Sequence, residues 1–276
     1  MKKAIIIPNY LKTESIEFSK KATEILEKKG YKVTVLGEEE EPKQGASFAL
    51  VLGGDGTLLR ACKKLYKLNI PMMGINFGHI GYLTECNPDM ALEAIESIIN
   101  GEYKLEKRLM LEGSVIRGEN EVYSFVALNE ATLFRSTHKK AFTMDVYING
   151  MHTQTVLGDG LIVATPTGST SYNLSAGGPV LTPTSSSIVL TPVSPLQFLR
   201  TSLVIDGGDE IEIKVKINSP VRNKKVTIEI DGDDSFDIRD GDIIKIKRSK
   251  STAQTIRVND ISFYQILKSK LSSAGI

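Results

Sequence analysis

The chain has 276 residues, long for one compact domain and comfortable for two, and its 34 lysines and arginines nearly cancel its 33 aspartates and glutamates. A net charge of +1 supplies no bulk field to recruit nucleic acid or an anionic membrane, so a small-molecule partner is expected. Cys62 and Cys86 are too few for a disulfide framework and have no zinc-like spacing with the three histidines, which marks them as reduced cytosolic thiols.

Met1 to Ile7 imitates the start of a signal peptide, but Pro8-Asn9 cuts its apolar stretch short. No other run approaches bilayer-spanning length, so a cytoplasmic protein is expected, with neither membrane nor nucleic acid among its partners. Ala4–Ile7 reads as a strand. Phe18, Ala22, Ile25 and Leu26 give the next segment one apolar helical face, and Gly30 suits its C-terminal cap. Lys32–Leu36 is a second strand, and the stretch from Gly37 to Gly45, with four consecutive glutamates and Pro42, is a solvated loop. Strand Phe48–Leu52, a glycine turn, a helix from Leu58 to about Tyr66 and strand Met72–Ile75 complete an α/β pattern over residues 1–100. A parallel sheet there would put the glycine turn at the carboxyl ends of strands, where such sheets bind ligands.

After a helix of about Met90–Ile99 and Gly101, the texture changes to period-two segments separated by turn residues. Met144, Val146 and Ile148 alternate up to Asn149-Gly150, a type I′ hairpin signal. Ile211–Ile217 and Val226–Ile230 repeat the alternation, so residues 101–261 are expected to form an all-β, sandwich-like domain. Ile261–Leu271 returns to helical spacing. No repeat, low-complexity tract or flexible linker separates the halves.

Two constellations carry chemistry. Gly53-Gly54-Asp55-Gly56-Thr57 follows the buried strand directly. Glycines let a backbone approach pyrophosphate and adopt positive φ, and the amides of such a turn cradle anionic oxygens. Asp55 would repel phosphate unless a metal or a hydroxyl nucleophile lay between them; its plainer role is to bond turn amides. The second block, Gly158-Asp159-Gly160 through Thr167-Gly168-Ser169-Thr170-Ser171-Tyr172 to Ser175-Ala176-Gly177-Gly178-Pro179, is dense in hydroxyls and glycines. Hydroxyls and amides bind ribose and phosphate, and Tyr172 offers a face for a base. Neither a P-loop nor a Rossmann fingerprint occurs, so a dehydrogenase loses ground.

Together with Asn76-Phe77-Gly78-His79-Ile80-Gly81-Tyr82-Leu83 and Asn129-Glu130, the two blocks resemble the NAD kinase family over nearly the whole chain. The resemblance implies transfer of the γ-phosphoryl group of ATP or polyphosphate to the 2′-hydroxyl of the adenosine ribose of NAD. It implies Mg²⁺, carried mainly on donor phosphates. It also implies a homo-oligomer, in the family a homotetramer, and a terminal helix of about residues 262–276 packed back on the first domain. Asp55 matches the family's catalytic aspartate, placed to accept the hydroxyl proton. Gly54, Gly56 and Thr57 match its phosphate-binding turn. Arg60 either neutralises phosphate or sits in solvent. Asn129 and Glu130 match the pair that holds ribose and amide groups of NAD, and Asp159 a position near the nicotinamide half. Thr170, Ser171, Tyr172, Asn173, Leu174 and Ser175 match adenine and ribose contacts reached partly across a subunit boundary. Lys140 is carried over with a solvated surface pair as its alternative.

Three residues depart from the family pattern. Ser171 stands where alanine is common, Leu196 where histidine is frequent, and Asp233 replaces an amide after Asp231-Gly232. His79, His138 and His152 read as structural or solvated. Diacylglycerol and sphingosine kinases and phosphofructokinases share the first motif, which leaves a lipid kinase as the rival enzyme and a nucleotide sensor as the rival without turnover.

Overall fold

The computed structural model describes residues 2–78, 81–135, 141–196, 201–217 and 225–273. Its elements in chain order begin with β1 (Lys2–Pro8), α1 (Thr13–Lys28), β2 (Tyr31–Val35), β3 (Phe48–Leu52), α2 (Asp55–Leu65), β4 (Met72–Ile75) and α3 (Pro88–Asn100). There follow β5 (Lys104–Arg117), β6 (Asn120–Ala127), β7 (Glu130–Arg135), β8 (Phe142–Ile148), β9 (Met151–Gly158), β10 (Gly160–Ala164), the single turn α4 (Tyr172–Ser175) and β11 (Ser187–Val193). The chain ends with β12 (Leu203–Asp206), β13 (Ile211–Lys216), β14 (Val226–Ile230), β15 (Asp234–Ile238), β16 (Ile243–Arg257) and α5 (Phe263–Ser273). It divides into two units, Met1–Lys107 with Thr252–Ile276, and Arg108–Ser251; β5 and β16 each run through a boundary.

In the first unit β2, β1, β3, β4 and the end of β16 lie side by side and parallel. All five residues of β3 are buried, as a strand covered on both faces requires. Ala91, Ala94, Ile95 and Ile98 form one stripe on α3 and join Ala22 and Leu26 of α1 in the core. Each fully buried Leu or Ile in it contributes about 1.5–3 kcal/mol. Gly30 has φ +82° and its N–H caps the Glu27 carbonyl, the expected end of α1. The strand order makes β1 and β3 neighbours from which the chain departs in opposite directions, to β2 on one side and β4 on the other. Loops leaving such a pair diverge, and the crevice outside their carboxyl ends is where open α/β sheets bind ligands. Asn9 and Gly53-Gly54 occupy those ends.

One expectation fails here. The helix after the glycine turn begins at Asp55, not Leu58, so Asp55, Gly56 and Thr57 are its first turn and the bend is made by Gly53-Gly54 alone. None of the motif's glycines has positive φ. Close approach is what requires Gly53, since a Cβ there would lie 2.3 Å from the Thr57 hydroxyl.

The second unit is the expected sandwich. A six-stranded antiparallel sheet runs β12-β11-β10-β7-β14-β15. Opposite it stand β13, β8, β9, β5, β6 and the start of β16, also antiparallel where paired. Leu133, Val163 and Leu190 from the first sheet meet Met144, Val146 and Ile213 from the second in one core. Asn149 and Gly150 both have positive φ, the type I′ turn that joins β8 to β9. The outer face of the six-stranded sheet is also buried: Ile162, Ala164 and Val189 pack against Ala176 and Leu181, so the block after β10 lies over that face.

Helix α5 is part of the first unit, with the Phe263 ring 6.4 Å from that of Tyr82. Cys62 and Cys86 are buried thiols outside any disulfide, and burial pushes the Cys86 thiol up to about 12. The first unit also encloses an ion pair. Glu85 Oε2 is 2.9 Å from Arg257 Nη1, while its Oε1 accepts the N–H groups of Val258 and Asn259 at 2.9 and 2.7 Å. Desolvation nonetheless raises the Glu85 carboxyl above the ordinary carboxylate range, the burial outweighing Arg257 and the two amides. Glu85→Ala would strand a partly buried guanidinium and two amides, and is expected to cost about 3 kcal/mol, read as a lowered midpoint in urea denaturation.

Candidate active site

In the first unit the site is organised by one carboxylate. Asp55, first residue of α2, accepts the backbone N–H of Tyr82 on Oδ2 at 2.8 Å and that of Leu83 on Oδ1 at 3.2 Å. A Cβ on Gly81 would stand 1.9 Å from Asp55 Oδ1, so only glycine lets the loop come this close. The N–H of Gly81 is in turn fixed by the Thr84 hydroxyl at 3.1 Å. A carboxylate offers about four lone-pair positions, so two amides leave Asp55 able to accept a further proton or hydrogen bond. Burial, and next the Asp55 charge, push the Tyr82 phenol above its usual range.

Thr57 is 7% exposed, and its hydroxyl accepts from Asn9 Nδ2 at 3.3 Å. Asn9 is itself tied by its N–H to the Leu52 carbonyl at 2.9 Å, so it links the ends of β1 and β3. Arg60 is exposed on α2.

In the second unit a carboxylate plays the same part. Asp231, with φ +54° after β14, accepts the N–H of Leu128 at 3.0 Å, of Asn129 at 2.7 Å and of Glu130 at 3.1 Å. It thereby fixes the turn that presents Asn129 and Glu130. Thr165 reinforces this turn, donating its hydroxyl to the Leu128 carbonyl at 2.6 Å and accepting the Gly168 N–H at 3.0 Å. A Cβ on Gly168 would lie 2.1 Å from the Asn129 carbonyl. Glu130 Oε1 accepts the Ser171 hydroxyl at 3.0 Å. Asn129 Oδ1 and Glu130 Oε2 are buried and have no hydrogen-bond partner among the described residues. Two unsatisfied acceptors side by side match a ligand that brings hydroxyl or amide donors. Desolvation raises the Glu130 carboxyl from 4.5 to about 7; the Ser171 hydroxyl and the Tyr172 N–H pull it down, and Asp231 and Glu229 add to the rise.

The structure thus groups Gly54, Asp55, Gly56 and Thr57 in one unit and Asn129, Glu130, Thr170 and Ser171 in the other. Asn173 is engaged inside its own loop: it is fully buried, donates to the Ser169 and Pro179 carbonyls, both at 3.0 Å, and accepts from Thr191 at 2.6 Å. Thr170 donates to the Thr167 carbonyl at 3.3 Å. Tyr172 is 44% exposed, Ser175 is exposed and Leu174 half-buried. Asp159 pairs with Arg135, Oδ1 to Nε at 2.6 Å. Leu196 is exposed, as is Asp233. Lys140, with His79 and His138, lies outside the described residues. Asp231 was not singled out as a site residue; the Asp-Gly pair after an alternating strand marks a turn, but its reach to residues a hundred positions earlier has no local signature.

Comparison with known proteins is concordant. Residues 12–103 match the family described as the ATP-NAD kinase N-terminal domain, and residues 128–258 its C-terminal domain. The NAD kinase of Caldanaerobacter subterraneus subsp. tengcongensis is 34% identical over 285 aligned positions, covering 99% of both chains. That of Moorella thermoacetica is 38% identical, covering 87% of this chain and 75% of its own. Among solved structures, an NAD kinase from Archaeoglobus fulgidus in complex with ATP has TM-score 0.77, 27% identity and full coverage of both chains. The yeast NADH kinase complexed with NADH has TM-score 0.84 at 21% identity, covering all of this chain and 88% of its own, a likeness of fold.

Glu130 generates a test that is independent of activity. The unfolded chain ionises this carboxyl near 4.5, whereas the folded protein holds its proton to about 7. Its contribution to stability is therefore intact below 4.5 and is lost as pH rises through 7. Glu130→Gln keeps a carbonyl for Ser171 and cannot ionise. Its thermal midpoint is expected to match the wild type at pH 4.5 and to exceed it increasingly towards pH 8, in melts monitored by circular dichroism.

Proposed function

Because the chain belongs to the NAD kinase family of phosphotransferases, we propose that it transfers the γ-phosphoryl group of ATP to the 2′-hydroxyl of the adenosine ribose of NAD, giving NADP. The observation that carries this reading is Asp55, held by the Tyr82 and Leu83 amides at the carboxyl end of β3, at the switch point of the parallel sheet. A carboxylate so held keeps one orientation, which is what proton abstraction from a hydroxyl needs. The ribose 2′-oxygen attacks the γ-phosphorus, its proton passes to Asp55, and the bond to the β–γ bridging oxygen breaks to release ADP. The Archaeoglobus relative in complex with ATP supports ATP as a donor. A lipid kinase sharing only the first motif does not account for the match over residues 128–258.

In the second unit, Asn129 Oδ1 and Glu130 Oε2 would accept donors from the NAD ribose or amide, and Tyr172 would offer its ring to a base. The Asn173 side chain would keep the shape of the loop, and Gly54 and Gly56 give phosphate access to the backbone at the start of α2. Arg60 would neutralise phosphate, Lys140 would contribute to nucleotide binding, and Asp159 through its pair with Arg135 would frame the nicotinamide half.

Members of this family use a divalent cation. Among the described residues no group of three or more His, Cys, Asp or Glu side chains could hold one. Mg²⁺ would be carried in on the donor's phosphates, where it would offset their charge. Asp55 is the nearby carboxylate that could share in holding it. No helix among the described residues is long and apolar enough to cross a membrane; the cytoplasm is our proposed location.

Purified protein with NAD, ATP or polyphosphate and Mg²⁺ should form NADP, detected with an NADP-specific dehydrogenase. No NADP above the no-enzyme control with either donor would turn the reading to a sensor. Asp55→Asn should lower kcat by about a hundredfold to ten-thousandfold while NAD still binds in calorimetry. The substitution makes one of the two amide contacts face an NH₂ group, so its melting midpoint must be measured alongside. Near-normal turnover in a folded variant would remove Asp55 as base.

We propose further that the assembly is a homotetramer in which the Thr170–Ser175 segment completes a neighbour's site. The exposed Tyr172 and Ser175 support this. Dilution to monomer should weaken NAD binding, followed by sedimentation beside calorimetry; equal affinity in the monomer would contradict it.

A further inference from the structure

Lys12 sits where local physics disfavours it. It is the N-cap residue of α1, a position that favours Ser, Thr, Asp or Asn, and its side chain caps no helix N–H. Its charge also faces the positive end of the α1 dipole. Nζ instead donates to the Phe77 carbonyl at 2.5 Å and stands 3.4 Å from the place a Cβ on Gly78 would take. The helix gains nothing from such a lysine, and departures of this kind concentrate at functional sites.

The surroundings say what the ammonium faces. Lys12 follows β1, Gly54-Asp55 follows β3, and Asn76 to Gly78 follow β4, three adjacent parallel strands whose carboxyl ends point the same way. Asn76 Oδ1 lies 3.7 Å from the Cβ position of Gly78 and 3.8 Å from that of Gly54. Lys12, Asn76 and the first turn of α2 therefore line one edge of the switch-point crevice. Among the described residues no carboxylate pairs with Lys12, and the Phe77 carbonyl occupies one of three ammonium donors, leaving two. A chain without the P-loop lysine still has to neutralise a polyanionic donor, and phosphoryl transfer depends on that neutralisation.

Building on the phosphoryl-transfer reading, we propose that Lys12 is a donor-binding residue, its ammonium held by the Phe77 carbonyl so as to contact the phosphate chain of the nucleoside triphosphate beside Asp55. Losing one charge-assisted hydrogen bond raises a dissociation constant by about tenfold to a hundredfold. Lys12→Gln should raise the KM for ATP by about that factor and leave the KM for NAD within about twofold, while Lys12→Arg recovers part of the loss. Inorganic tripolyphosphate, titrated into the full-length protein by calorimetry, should bind the wild type more tightly than Lys12→Gln, with the gap closing as salt is added. A Lys12→Gln protein with unchanged donor KM and unchanged tripolyphosphate affinity would overturn the proposal. So would equal increases in both KM values with a lowered melting midpoint, the mark of a loop clamp. If the wild type makes no NADP yet binds tripolyphosphate through Lys12, the kinase reading fails and the phosphate contact stands.

Discussion

Carboxylates accepting main-chain N–H groups hold the candidate site residues of each unit in place. A buried amide without a partner costs about 1–3 kcal/mol, and irregular loops cannot satisfy their amides by a ladder or a helix. Asp55 serves Tyr82 and Leu83, Glu85 serves Val258 and Asn259, and Asp231 serves Leu128, Asn129 and Glu130. An ionised carboxylate suits the task because it only accepts and can take several donors at once. The loops after β4 and β6 are thereby shaped by side chains far away in sequence rather than by turn chemistry of their own. The glycines follow from this. Gly81 and Gly168 stand where a Cβ would collide with Asp55 or with the Asn129 backbone, so the tightness of the contact, and not an unusual φ, selects them.

Two acceptors in the second unit are treated oppositely to the amides. Everything around Asn129 and Glu130 is bonded, yet Asn129 Oδ1 and Glu130 Oε2 are buried with no partner among the described residues. Each such atom costs stability in the absence of a donor, and a bound hydroxyl or amide recovers that cost. The price is kept local by rigidity: the Asp231 and Thr165 contacts fix the turn so that it cannot relax to satisfy the two atoms internally.

Much of this was legible in the chain because it is written in local patterns. Strand periodicity located β1, β3, β4, β8, β13 and β14, Asn149-Gly150 specified its hairpin, and Gly53 to Thr57 marked the loop that matters. The start of α2 was misplaced because glycine and aspartate read as turn formers, whereas the Gly54 carbonyl already accepts the Thr57 and Leu58 N–H groups. The roles of Thr57, Asn173 and Asp231 were hidden for a different reason. Whether a hydroxyl or amide faces a ligand or its own scaffold depends on partners that are distant in sequence, such as Asn9 for Thr57 and Thr191 for Asn173.

Ser171 shows how such a distant pairing can alter chemistry without altering the fold. It donates to Glu130 Oε1, the oxygen next to the unpartnered Oε2. A hydrogen bond to the ionised form favours that form, so Ser171 opposes the rise that burial imposes on Glu130, and burial still prevails. With alanine there the carboxyl would be protonated more readily and would present an O–H donor in addition to its acceptors. One methyl-to-hydroxymethyl change forty-one positions away would thus shift the balance of this carboxyl between accepting and donating. The departure at Ser171 therefore shifts the protonation balance of Glu130 and leaves the shape of the turn to Asp231.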